Sequence, residues 1–422
     1  MQATLGRDRV LDAVKACALL AVVAGHSLAW HVSPSGSIGN VLETAPSLVW
    51  VSWLFQVLPL FFAAGAVSNM ASWQRHGAAE FWRSRTRGLL SPILLYAAVW
   101  TVLLLPVAAA TGQFAGGTVV TAGRFLSFLL WFAGVYLLVI TAVPLTARWR
   151  TRPVLTLSVW FVVIVLVDVA RIVGAPTWIG WCNLLLVWGW LHQWGYQLPL
   201  LRTQAAWKMI VAALIALSCS MAVAIFGPYS QSLITVAGDS ELSNLSPPSV
   251  VLALYGVAQI CVIGVLWRPL TQLFRHDAVW VPVAIVGARA MGIYLWHIPL
   301  VAVAALVAFA CGMRAAPLTL WWWVVHVLVV VLVLVGAWLV AGFAGWVAAR
   351  IDRVPGVWRA PPLLTSLTGG VVVLSICATG FGTWWGAGAL GLPASALLNL
   401  ALLIVVWQAV ARRARARQRP PL

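Results

Sequence analysis

The chain has 422 residues, 63% of them hydrophobic and 8% charged, with 26 lysines and arginines against 9 acids for a formal charge of +17. So few charges exclude a soluble protein of this size, since such proteins carry roughly 25% charged residues overall. The basic residues fall between apolar runs rather than along one amphipathic face, which argues against a nucleic-acid-binding surface.

Apolar runs long enough to cross a hydrocarbon layer of about 30 Å recur from end to end, and a cleavable signal peptide would appear only once. The pattern predicts an all-α polytopic integral membrane protein with roughly ten to twelve transmembrane helices. Their approximate spans are 10–32, 48–71, 89–110, 125–146, 154–173, 178–197, 207–226, 248–267, 290–310, 320–349, 366–386 and 395–411. Segment 277–289 reads as a short amphipathic stretch, and the glycine-rich 366–391 region as a crossing or a re-entrant loop. The stretch Gly227 to Ser249 is too short to hold a core of its own.

With the N-terminus inside, the inner face receives Arg7 and Arg9, then Arg75, Arg83, Arg85 and Arg87, then Arg148, Arg150 and Arg152. Arg202, Lys208, Arg268, Arg275, Arg350, Arg353 and Arg359 follow, with the tail arginines Arg412, Arg413, Arg415, Arg417 and Arg419. Arg124, Arg171 and Arg314 fall outside. That asymmetry predicts both termini in the cytoplasm, with 412–422 a basic tail able to attract anionic membrane lipids. The outer side receives Glu43, Asp239 and Glu241, and Trp321, Trp322, Trp323, Trp384 and Trp385 are expected in an interfacial aromatic belt. The six cysteines lack paired metal-ligand or disulfide spacing and read as small hydrophobes, so no metal site is expected.

The first apolar segment carries Lys15 and, after ten intervening residues, His26. A charged group at a bilayer centre costs roughly 2.5–3.5 kcal/mol on insertion scales, so such residues usually line a polar pathway or site. Asp12 and Lys15, three apart, are helical neighbours expected to pair. His26 stands about 16 Å further along the helix and has the chemistry of a general base; a hydrogen-bonded structural histidine is the competing reading.

The run FWRSRTRGLLSPIL places Arg83, Arg85 and Arg87 at the start of the third span. Their forks suit phosphate oxygens, although positive-inside anchoring explains them as well. Gly88 and Pro92 are expected to bend or end the helix there and leave room for a ligand. Asp168 and Arg171 read as an interfacial ion pair. VGARAMGIYLWHIPL carries Arg289, Tyr294 and His297, the last two facing one cavity with His26 or forming a buried pair.

In content and order, RDRVLDAVKACALLAVVAGH, LPLFFAAGAVSN, RSRTRGLLSP, LWFAGVYLLVITAVPL and GIYLWHIPL resemble the acyltransferase family 3 membrane proteins over most of residues 7–300. The family's first-span motif is arginine, ten residues, histidine, with Lys15 at the arginine position here and His26 at the histidine. The resemblance implies a bacterial cytoplasmic-membrane enzyme with no tightly bound cofactor. It would transfer an acyl group, often acetyl, from cytosolic acyl-CoA to a hydroxyl of an extracytoplasmic glycan, glycolipid or similar acceptor. By the same resemblance His26 is catalytic, Lys15, Arg83, Arg85 and Arg87 are candidates for binding the donor, and Arg289 and His297 lie in the family's C-terminal motif without an assigned role. The residues themselves make Asp12, Arg289, Tyr294 and His297 candidates for lining the site.

The implied organisation is an acyltransferase-like core over 7–310, further transmembrane helices over 311–411 and the tail 412–422. The intramembrane polar residues also admit a transporter or flippase of a lipid-linked or polar substrate, and a non-catalytic protein of the same fold.

Overall fold

The structure is a computed structural model that describes residues 8–32, 38–113, 116–235, 242–313, 315–383, 386–387 and 393–411. Arg7, Asp239, Glu241, Arg314, Trp384, Trp385 and the tail arginines Arg412, Arg413, Arg415, Arg417 and Arg419 lie outside the described residues. The protein is an all-α polytopic membrane protein. Among the described residues, eight helices are long and apolar enough to cross a membrane, or nine if the bent pair Gly117–Ser127 and Leu130–Thr141 is one span. One of the eight, Val51–Thr111, takes in both the 48–71 and 89–110 expectations. Asp277–Ala288 and Ala396–Val410 are shorter apolar helices.

Large apolar side chains stand outward on these helices, among them Val154 (80% exposed), Phe226 (86%) and Leu320 (83%). Water would penalise such a surface, whereas hydrocarbon is its natural solvent.

The helix does not end at Gly88 or Pro92, one of the two outcomes expected there, although Gly88 does border open space. The helix Leu58–Thr111 runs through both residues and leaves helical dihedrals instead at Gly77, with φ 73° and ψ 169°. Only glycine adopts that conformation at little cost. The break falls in the exposed stretch Gln74–Glu80, where water can satisfy freed backbone groups.

The chain forms two compact units, one of Met1–Ala71 with Val143–Leu339 and the other of Ser72–Ala142 with Val340–Leu422. In the first, the helix Arg9–Ala29 starts at Asp8, whose carboxylate accepts from the Val10 and Leu11 amides. It packs on Asp277–Ala288 and Ala290–Ala310. Ala206–Phe226 packs along Val250–Leu273, and Asn183–Gly195 lies against both Pro153–Ile172 and Val250–Leu273. A Cβ at Gly195 would collide with the Ala63 carbonyl, so glycine there permits a close backbone approach.

Asp168 and Arg171 pair at 3.0 Å as their spacing predicts, and their side chains are only 2% and 9% exposed, so the pair is buried against neighbouring helices. The Asp168 carboxylate also accepts from Asn183 Nδ2 at 3.0 Å and from the Val250 amide at 2.6 Å. It thereby satisfies an orphan donor at the start of Val250–Leu273. Arg171 donates onward to the Ser243 carbonyl at 3.3 Å. Nearby in the loop, burial and then the Asp168 charge push the Tyr229 phenol upward from its ordinary value.

In the second unit, Pro362–Thr379 packs against Leu130–Thr141 and Ala396–Val410. Gly134 and Gly370 face each other across the first contact, where a Cβ on either would lie within 3.2 Å of the other's carbonyl. Close approach of small residues drives helix association where no hydrophobic gain exists between helices. Thr141 Oγ1 and Ser366 Oγ add a hydrogen bond at 2.5 Å.

Candidate active site

Helix Arg9–Ala29 carries His26 in its last turn, and the neighbouring helix Ala290–Ala310 carries His297. Packing of these two helices brings His26 Nδ1 to 3.0 Å from His297 Nε2. The rings stack with centroids 5.2 Å apart and planes 23° apart. His297 is fully buried, and His26 is partly so.

The proton positions follow from the partners. His297 Nδ1 lies 2.8 Å from the Tyr294 carbonyl oxygen and 3.2 Å from that of Ile293. Carbonyl oxygens only accept, so Nδ1 carries the proton, and the neutral ring keeps its lone pair on Nε2. His26 Nδ1 therefore donates to His297, and the lone pair of neutral His26 sits on Nε2. The backbone of one helix thus selects the tautomer of a side chain on another. The tie from Tyr294 to His297 runs through its carbonyl, while its ring lies 6.5 Å away at 45°.

Lys15 Nζ pairs with Asp12 Oδ1 at 3.0 Å, as their spacing predicts, and also donates to Ser68 Oγ at 3.3 Å. Beside Ser68, the buried Asn69 places Nδ2 3.3 Å from His192 Nε2. Ser68, Asn69 and His192 were not singled out in the sequence. The available signal was the Ser-Asn pair closing the apolar run LPLFFAAGAV.

Arg289 does not join the histidines. Its Nη1 donates to the Trp338 carbonyl at 3.0 Å, and its guanidinium lies 3.8 Å from the centroid of the Trp338 ring. His326, also passed over in the sequence, is buried between the Trp322 and Trp30 carbonyls, with ring nitrogens 2.9 and 2.8 Å from them. Trp322 is buried and stacks on it at 3.9 Å, so its ring faces the protein rather than the surroundings. Trp321 and Trp323 on either side are exposed.

The arginine run lies in the second unit. Arg83 and Arg87, one helical turn apart, line a common cavity. Arg85 is not among its lining residues, and its guanidinium lies 6.0 Å from the Phe81 ring centroid. Two residues along a helix turn a side chain by about 200°, so the three arginines cannot share one face. Arg87 Nε pairs with Asp352 Oδ1 at 3.2 Å.

A family model described as an acyltransferase domain matches residues 8–342. That range holds Asp12, Lys15, His26, the three arginines, Arg289, Tyr294 and His297. No curated protein and no solved structure matches the chain.

Proposed function

Because this chain belongs to acyltransferase family 3 and is a membrane acyltransferase, we propose that its donor is acyl-CoA and its acceptor a hydroxyl. The acyl group in this reading is acetyl or another short acyl, and the acceptor is an extracytoplasmic glycan, glycolipid or similar molecule. The protein would work in a bacterial cytoplasmic membrane, taking the donor from the cytosol.

The observation that carries the reading is the His26–His297 hydrogen bond. With its lone pair on Nε2, His26 takes the acceptor hydroxyl proton as that oxygen attacks the thioester carbonyl carbon. The imidazolium that forms keeps its Nδ1 proton on His297 Nε2, a bond that strengthens as positive charge develops. Collapse of the tetrahedral species breaks the C–S bond. The Nε2 proton passes to the departing sulfur, giving an ester and free CoA thiol. Lys15, held by Asp12 and Ser68, is a donor-side cation in this scheme, and Arg83 and Arg87 are ligands for the donor's phosphates. Enclosure within membrane helices protects the thioester from hydrolysis.

The test compares membranes holding equal amounts of wild-type and His26→Ala protein, supplied with radiolabelled acetyl-CoA. Label entering the lipid and glycan fractions should fall by about 100-fold or more in the variant. Incorporation at the wild-type rate would remove His26 from the chemistry.

A further inference from the structure

In the second unit a cavity of about 420 Å³ opens between the 80–88 turns of Leu58–Thr111, the segment 352–360 and the end of Ala396–Val410. Its walls carry Arg83, Arg87, Arg359 and Trp358, with the acids Glu80 and Asp352. Asp352 is already committed. Its Oδ1 accepts from Arg87 Nε at 3.2 Å and Ser91 Oγ at 2.6 Å, and Ser91 Oγ accepts from Trp407 Nε1 at 3.0 Å. This chain fixes Arg87 with part of its fork still available. Among the described residues, the side chains of Arg83 and Arg359 enter no hydrogen bond or ion pair. Gly88 lines the same space, and a Cβ there would meet nothing within 4 Å.

We propose that Trp358 and Arg359, which lie beyond the family-matched residues, complete with Arg83 and Arg87 a binding site for a phosphorylated nucleoside. This rests on the acyl-CoA reading above and names which part of the donor the cavity takes, its phosphorylated adenosine. The volume lies within the range of small-molecule sites and exceeds what a single phosphate needs. Guanidinium forks match phosphate oxygens, and the 41%-exposed Trp358 indole offers a flat face to a purine.

The experiment uses the full chain purified in detergent, titrated with coenzyme A, adenosine 3′,5′-bisphosphate, inorganic pyrophosphate and adenosine. Adenosine bisphosphate should bind, compete with coenzyme A and weaken as salt rises. Arg359→Gln should lower its affinity by about tenfold and Arg359→Lys by less, since lysine keeps charge but not the fork. Trp358→Leu should weaken adenosine bisphosphate while sparing pyrophosphate, a split that a loss of folding would not produce. Wild-type affinity for adenosine bisphosphate in both Arg359→Gln and Trp358→Leu, with coenzyme A still bound, would overturn this site and leave the donor reading standing. Failure of wild-type protein to bind coenzyme A would sink both. Binding of phosphatidylglycerol micelles, with no binding of adenosine bisphosphate, would overturn the site in favour of a lipid headgroup.

Discussion

In the proposed reaction the histidine that accepts a proton must present the correct nitrogen, and His297 makes that choice. Its Nδ1 is occupied by two carbonyls of its own helix, so only Nε2 can receive His26. His297 is therefore a positioning residue in the proposed reaction. Replacing it with leucine should lower kcat by roughly tenfold to 100-fold while the KM for acyl-CoA stays near its wild-type value. His297→Gln, whose amide oxygen can occupy the place of Nε2, should recover a substantial part of the loss. Equal kcat values for wild type and His297→Leu would remove the role, and equal losses in the two variants would reduce it to packing. At this scale the sequence was legible where partners are near in the chain. The spacing of Asp12 and Lys15 predicts their 3.0 Å pair. The His26 and His297 bond spans 271 positions, a distance over which one sequence carries no pairing signal. The division of Arg83 and Arg87 from Arg85 was, by contrast, readable from helical periodicity alone.

At the scale of elements, hydrophobic runs predict most helices well, because every backbone group in hydrocarbon must be satisfied within its own segment. What they do not reveal is how charges inside the units are used. Asp168 and Arg171 are spaced like a surface pair, yet the carboxylate joins Pro153–Ile172 to Asn183 and to the amide that opens Val250–Leu273. Its truncation strands a buried guanidinium, an amide and a side-chain donor together. Asp168→Ala should cost about 3–5 kcal/mol, the range for breaking a buried pair from one side. A clear fall in the thermal unfolding midpoint in detergent checks this, and an unchanged midpoint would show the pair to be dispensable. Trp322 makes the same point for aromatic residues. Three consecutive tryptophans suggest a belt, but a helix cannot turn all three toward lipid, and the middle one packs on His326.

For the whole molecule, composition alone identified the solvent, and the ordered motifs identified the family that the match over 8–342 establishes. Orientation is a property of the chain in its bilayer, and the positive-inside asymmetry makes it testable. A reporter fused after Arg419 should read out in the cytoplasm, and an extracytoplasmic signal would reverse the assignment of donor and acceptor sides. The division into two units was not legible, because each is built from separated stretches whose apolar patterns look alike.

The ladder from Arg87 through Asp352 and Ser91 to Trp407 has a practical corollary. Arg87 and Ser91 lie inside the family-matched range, while Asp352 and Trp407 lie outside it. The family match ends at residue 342, but the contacts that hold the matched residues in place continue beyond it. Trimming the protein to its recognisable portion would remove the counter-ion of one guanidinium and the indole donor to Ser91. It would also strip Leu130–Thr141 of the helix Pro362–Thr379 that covers it. The less recognisable C-terminal region is thus a structural subunit of the recognisable one, and the two should be expressed, purified and mutated as a single object.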